Sequence, residues 1–291
     1  MLLYSGRGIP FVMPPEDGDE LADWFEAEYA DEFCVSMSFD PGFVDSLCSA
    51  GFIPMATNGG GDDEYLIPKL HTIRSVMDPR DIAVTRTARR ESLRYALSLD
   101  RRFGEVLAAC VETHGDDWLR PPLRSAWLKL FASKSERRCR FASMELYAEI
   151  DRDLLVAGEI GVFVGSCYTS LTGFRRESGS GTVQLIATAR YLELSGVSLW
   201  DLGMPLDYKI SLGAHNVSRR EFLSRFRKAR AEAPSFAAPP DGGAFATREL
   251  IDRRGRFAAA SDEVRGRDGK DGESPEGDGE EERPAARTRF Q

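Results

Sequence analysis

Apolar residues change their spacing several times along the chain, and each change predicts an element. Leu21, Trp24 and Phe25 share one face of an otherwise acidic run, which predicts an amphipathic helix over 19–29. A second helix is expected over 41–50, opened by Asp40 as N-cap and closed by Gly51. Apolar runs at 33–39, 65–70 and 82–87 predict short strands, and residues 58–63 (NGGGDD) a flexible turn. From Arg89 the spacing reads as helical, over 93–99, then 103–113 with a break at Gly115, then 123–131 behind Pro121-Pro122. Strand spacing returns over 139–150. The stretch 154–214 then organises everything else. LLVAGEIGVFVGSCYTSLTGF predicts two strands meeting at Gly165, and a glycine-rich loop follows over 175–181. Val183, Leu185, Ile186, Ala189, Leu192 and Leu194 recur mostly at three- and four-residue steps and predict a helix stopped at Gly196. The strand SLWDLG closes the unit.

Composition narrows the class. With 291 residues, 42% hydrophobic and 29% charged, the chain is long enough for one sizeable core and a smaller domain. Five scattered cysteines without a CxxC pair fit neither a zinc ribbon nor a secreted disulfide framework. The first residues form too short an apolar run for a leader or a membrane span, so a cytoplasmic protein with no membrane partner is expected. A net charge of -9 argues at first against nucleic acid, but the acids concentrate near residues 16–32 and in the tail. Two basic clusters lie between. One is Arg86, Arg89, Arg90, Arg94, Arg101 and Arg102; the other is Lys129, Lys134, Arg137, Arg138 and Arg140. Each reads either as a track for an RNA backbone or as a solvated helix face. Beyond residue 230, Gly, Pro, Ala and mixed charge predominate, too apolar-poor to offset the entropy of ordering. Three parts are therefore expected: a small α+β domain at 1–84, the principal domain at 85–230 and a disordered tail at 231–291, dispensable for fold and activity.

The predicted helix N-terminus beside strand ends suits phosphate or carboxylate. The loop Arg176-x-x-Gly179-x-Gly181 resembles the pyrophosphate loop of acetyl-CoA-dependent N-acetyltransferases, and reads equally as a plain strand-to-helix turn. Its flanks are more specific. Leu155-Val156-Ala157-Gly158-x-Ile160-Gly161-Val162-x-x-Gly165, Leu199-Trp200-Asp201, Ser211-Leu212-Gly213-Ala214 and Arg219-Arg220-x-Phe222-Leu223 together resemble the leucyl/phenylalanyl-tRNA-protein transferase family. Leu47-x-x-x-Gly51-Phe52-Ile53-Pro54, Ile82-Ala83-Val84-x-Arg86, Phe103 to Cys110 with Trp118-Leu119, and Ser143-Met144-Glu145 keep the family's order, so the likeness runs over about 40–228.

The resemblance implies an α+β fold, an N-acetyltransferase-like mixed sheet flanked by helices. It implies transfer of leucine, phenylalanine or a similar apolar amino acid from tRNA to the N-terminal α-amine of a protein, usually one beginning with Arg or Lys, which marks that protein for degradation. The partners implied are aminoacyl-tRNA and protein or peptide N-termini; no metal or cofactor is expected, and the protein is expected to be a monomer. Carried onto this sequence, Asp201 is the catalytic charge anchor that orients the incoming amine, with a structural salt bridge or cap as its other reading. Tyr168, Phe174, Leu185, Leu192 and Trp200 would hold the donor side chain. Trp118 would stack on the terminal adenine or else belong to the core, and Arg176, Gly179 and Gly181 would hold phosphates.

Departures from the family pattern matter as much. Its catalytic glutamine falls on Gly203, its acidic residue on Leu171 and a methionine on Gly173, and no tryptophan remains in 65–74. A glutamine restored at 203 is expected to be tolerated if that backbone has negative φ. Glu159 stands where the family is apolar, so it either faces a polar ligand or points away from the pocket. The three histidines lack metal-ligand spacing, and Cys167 reads as a packed strand residue. Two other functions stay open on this sequence: an acetyl-CoA-dependent N-acetyltransferase, favoured by the loop, and a catalytically silent binding module, motivated by Gly203.

Overall fold

The computed structural model describes residues 3–4, 8–14, 17–60, 63–133, 137–239 and 243–252. In chain order the elements are β1 (Leu3–Tyr4), β2 (Pro10–Phe11), α1 (Gly18–Ala27), α2 (Pro41–Ser49), β3 (Ile53–Gly60), β4 (Asp63–Lys69) and β5 (Ile73–Met77). There follow α3 (Arg86–Glu91), β6 (Tyr95–Leu99), α4 (Phe103–His114), α5 (Pro121–Ala132), β7 (Arg140–Ala148), β8 (Leu155–Val164) and β9 (Cys167–Arg175). The chain continues with α6 (Ser180–Leu194), β10 (Leu199–Asp201), α7 (Asp207–Ser211), β11 (His215–Ser218), α8 (Arg219–Arg230), β12 (Phe245–Ala246) and α9 (Thr247–Asp252).

Eight strands form one mixed sheet in the order β11-β5-β10-β9-β8-β7-β6-β12. All neighbours are antiparallel except β9 and β10, which run parallel because α6 carries the chain back across the sheet between them. This is the mixed α+β class expected from the sequence. Side-chain alternation splits the core into two layers. Ile160, Val162 and Val164 pack on one face with α4, α5, α8 and the N-terminal helices; Val156, Phe163, Tyr168 and Trp200 pack on the other with α6 and α9. The β8–β9 reversal needs Gly165: its φ is +56°, and a Cβ there would lie 2.3 Å from the carbonyl oxygen of Arg230.

Several sequence-based expectations fail for identifiable reasons. Residues 95–99 are a strand, not a helix; Tyr95 to Ser98 are buried on both faces, so their apolar run carries no period-two signal. Residues 82–87 form no strand: Ala83 makes one backbone bond to Leu212, and Thr85 caps α3 through the Ala88 N–H. The run at 33–39 makes only isolated bridges, at Phe33, Val35 and Ser36. Neither expected domain boundary divides the described residues. From before residue 84, β5 is inserted between β11 and β10; from the expected disordered tail, β12 pairs with β6, and Phe245, Leu250 and Ile251 are buried beside α6. The described residues fall in one compact unit. The rest of the tail, 253–291, lies outside the described residues, as do Lys134 and residues 61–62 of the predicted turn.

Candidate active site

Asp201 ends β10 and is fully buried. Its Oδ1 accepts from Arg74 Nε at 2.9 Å and from the Gly203 N–H at 2.9 Å, and its Oδ2 accepts from Thr169 Oγ1 at 3.0 Å. Arg74, on β5, is equally buried; its Nη2 donates to the Gly51 carbonyl at 2.7 Å and its Nη1 to His71 Nδ1 at 3.1 Å, while its guanidinium lies 4.3 Å from the centre of the Phe222 ring. Burial, with the adjacent Arg74 charge, pushes the His71 pKa down to about 3, so the ring is neutral and accepts. A carboxylate shut off from water needs this compensation, and these contacts are those of the salt-bridge reading of Asp201.

The neighbouring Trp200 points the other way. Its Nε1 donates to Ser170 Oγ at 2.9 Å, and Ser170 in turn donates to Glu159 Oε2 at 3.2 Å. Tyr168 donates to Glu159 Oε1 at 3.1 Å, and Gln184 on α6 bonds the same carboxylate and Thr188. Glu159 thus lies within the layer that holds Tyr168, Leu192 and Trp200, with Leu185 packed against it. Burial drives its pKa up to about 7 against the pull of those hydroxyl and amide donors. Of the expected donor pocket, these four residues come together.

The remaining candidates are placed elsewhere. Phe174 faces α4, and Trp118 packs edge-on against Trp127 at 6.4 Å, both in the opposite layer. Arg176 folds back so that its Nη1 donates to the Leu155 carbonyl at 3.0 Å, with its guanidinium 5.3 Å from the Phe174 ring centre. Gly179, at φ +81°, is the N-cap of α6, with Gly181 in its first turn. Much of the first basic cluster is engaged by acids: Arg89 pairs with Asp252, Arg94 with Glu91 and Glu177, and Arg101 and Arg102 with Asp153. In the second, Arg137, Arg138 and Arg140 line a cleft of about 400 Å³ with Phe131, Phe163 and Phe236. That cleft contains none of the predicted site residues.

Arg74 and Lys209 escaped the sequence reading, and His71 was weighed there only as a metal ligand. Lys209 on α7 is buried, and its Nζ donates to the Leu202 and Met204 carbonyls at 2.5 and 2.8 Å. Nothing local in the sequence marks them, because burial of a charged side chain is a property of the assembled sheet. Gly203, on which the missing glutamine falls, has φ +75° and a Cβ position 3.4 Å from Ile53 Cδ1, so the condition attached to restoring glutamine there is not met. Among the described residues no group of three or more His, Cys, Asp or Glu is placed to hold a metal ion, and no helix is long and apolar enough to cross a membrane.

The family model described as leucyl/phenylalanyl-tRNA protein transferase matches residues 76–227. A protein of that name from Roseobacter denitrificans is 28% identical over 206 residues, covering 70% of this chain and 93% of the relative. Another from Rhizorhabdus wittichii is 31% identical over 192 residues, covering 64% and 73%. A third, from Zymomonas mobilis, is 27% identical over 197 residues, covering 65% and 69%.

Proposed function

The chain belongs to the leucyl/phenylalanyl-tRNA protein transferase family, and from that premise we propose that it moves leucine, phenylalanine or a similar apolar amino acid from tRNA to the N-terminal α-amine of a protein. The observation that carries this reading is the extent of the match: residues 76–227 contain the whole unit of two strands, loop, helix and strand that ends in Asp201. An aminoacyl ester is already activated, so the task is to align amine and carbonyl and to move one proton. On this reading neither metal nor cofactor takes part, and aminoacyl-tRNA is the donor.

Asp201 serves as the charge anchor at the strand end. Its bond from the Gly203 N–H supports a role in holding the loop between β10 and α7 and, through it, the orientation of the attacking amine. Tyr168, Leu185, Leu192 and Trp200 form the donor side of the site, while Arg137 and Arg138, exposed at their cleft, suit an RNA backbone. The parallel β9–β10 pair joined by α6 supports an N-acetyltransferase-like reading of the sheet. The acceptor begins with Arg or Lys, the product is marked for degradation, and the protein acts as a cytoplasmic monomer.

The test is to incubate the purified chain with radiolabelled leucyl-tRNA, phenylalanyl-tRNA or acetyl-CoA, and with peptides that differ only in residue one. Label is expected to pass from tRNA to peptides with a basic first residue. Turnover of acetyl-CoA without aminoacyl transfer overturns the reading.

A further inference from the structure

Lys209 is a buried ammonium, and among the described residues no carboxylate is bonded to it. Its Nζ is seated against the Leu202 and Met204 carbonyl oxygens, which flank Gly203 on either side. An ammonium carries three N–H groups, and the third has no hydrogen-bond partner among the described residues. Arg74, the other buried cation of this region, is committed to Asp201, His71 and the Gly51 carbonyl. Arg74 is thus neutralised by a bonded carboxylate, whereas the Nζ of Lys209 is held by backbone carbonyls alone and keeps one N–H group.

Its electrostatic surroundings are two-sided. Asp201 on β10 and Glu159 on β8 both act on it, although one carboxylate belongs to the Arg74 network and the other to the Trp200 layer. Arg74 on β5 opposes them, and the Tyr208 ring on α7 lies 5.8 Å from Nζ. Burial pulls the amine below its ordinary pKa, and the two carboxylates work the other way. A cation held in this manner is poised for negative charge that appears only during a reaction.

Aminoacyl transfer creates such a charge. When the amine nitrogen attacks the ester carbonyl, a C–N bond forms and the π pair moves onto oxygen. Collapse restores the carbonyl and breaks the bond to the ribose oxygen, which leaves with the proton released by nitrogen. Gly203 contributes no side-chain donor at the end of β10, and Lys209 stands beside it. We propose that Lys209 donates to the carbonyl oxygen of the aminoacyl ester as the acceptor amine attacks, stabilising the oxyanion. This inference rests on the aminoacyltransferase reading above.

The test uses the full chain with leucyl-tRNA and phenylalanyl-tRNA as donors and a peptide beginning with Arg as acceptor. Lys209→Gln keeps amide donors for the carbonyls but removes the charge; Lys209→Arg keeps the charge. Lys209→Gln is expected to lower kcat about 100-fold, the usual effect of losing one oxyanion donor, with the Kd of aminoacyl-tRNA and the melting temperature nearly unchanged. Lys209→Arg is expected to recover part of the rate. It should also move the alkaline loss of activity to higher pH, since a guanidinium does not deprotonate there. A Lys209→Gln enzyme with near-native kcat, or one that loses rate only in proportion to Kd and folded fraction, overturns the proposal and leaves the transferase reading standing. If Lys209→Gln does not fold, an alkaline limb unchanged in Lys209→Arg overturns it just as well. A native chain that transfers from neither donor sinks the transferase reading itself, and this inference with it.

Discussion

The Nε of Arg74 lies 2.9 Å from Oδ1 of Asp201, and both side chains are shut off from solvent. The two residues are 127 positions apart, yet the pairing joins β5 to β10 and, through Gly51 and Phe222, to α2 and α8. Removing one partner leaves the other as an uncompensated buried charge. Arg74→Met is therefore expected to destabilise the fold by about 3–5 kcal/mol, read as a drop in the urea midpoint. Pairing it with Asp201→Asn should cost much less than the sum of the two singles. Additive losses would show that the pair is not coupled.

Glu159 makes stability depend on pH in a direction opposite to most carboxylates. Its pKa rises from 4.5 to about 7 in the folded protein. Below pH 4.5 it is protonated in both states and has no effect. Between about pH 4.5 and 7 the unfolded chain releases the proton first, so stability falls across that window and stays low above it. Glu159→Gln should abolish this slope, its advantage over the native chain growing to on the order of 3 kcal/mol by pH 8. Unfolding midpoints of the two proteins that differ by the same amount at pH 4.5 and pH 8 would refute the assignment.

Gly203→Gln is expected to weaken the protein. At φ +75° a side chain costs roughly 1–2 kcal/mol in backbone strain, while the new Cβ would make ordinary contact with Ile53 Cδ1 at 3.4 Å. Gly203→Ala should show the same loss, because the strain begins at Cβ. Thermal melts of both variants check this, and an unchanged melting temperature in either one contradicts the positive φ.

Chains ending at residue 230 and at residue 252 should differ. The shorter one loses β12 and α9, and with them Phe245, Leu250 and Ile251, each buried beside α6 and worth about 1.5–3 kcal/mol. Its urea midpoint should lie clearly below that of the chain ending at 252. Equal midpoints would mean that the β6 edge gains nothing from being covered.

Much of this protein is written locally. The glycine turn at 165, the Asp40 cap of α2, the stop of α6 at Gly196 and the strand ending in Asp201 were legible in the sequence, because each depends on a backbone preference or on side chains a few positions apart. The family motifs were legible for the same reason, lying within short windows around that unit. Tertiary structure alone decided the rest. The segment 73–77 becomes a strand because β10 and β11 pair with it on its two sides, 245–246 because the β6 edge pairs with it, and β6 because both of its faces are covered; their own sequences do not distinguish these outcomes. The site divides in the same way. The sequence singled out Asp201 and Trp200 as neighbours, but strand alternation sends them to opposite faces, and their partners Arg74, Ser170 and Glu159 come from three other strands. Whether a buried charge is compensated is settled only by residues brought together through folding, which is why Arg74 and Lys209 stayed invisible until the sheet was assembled.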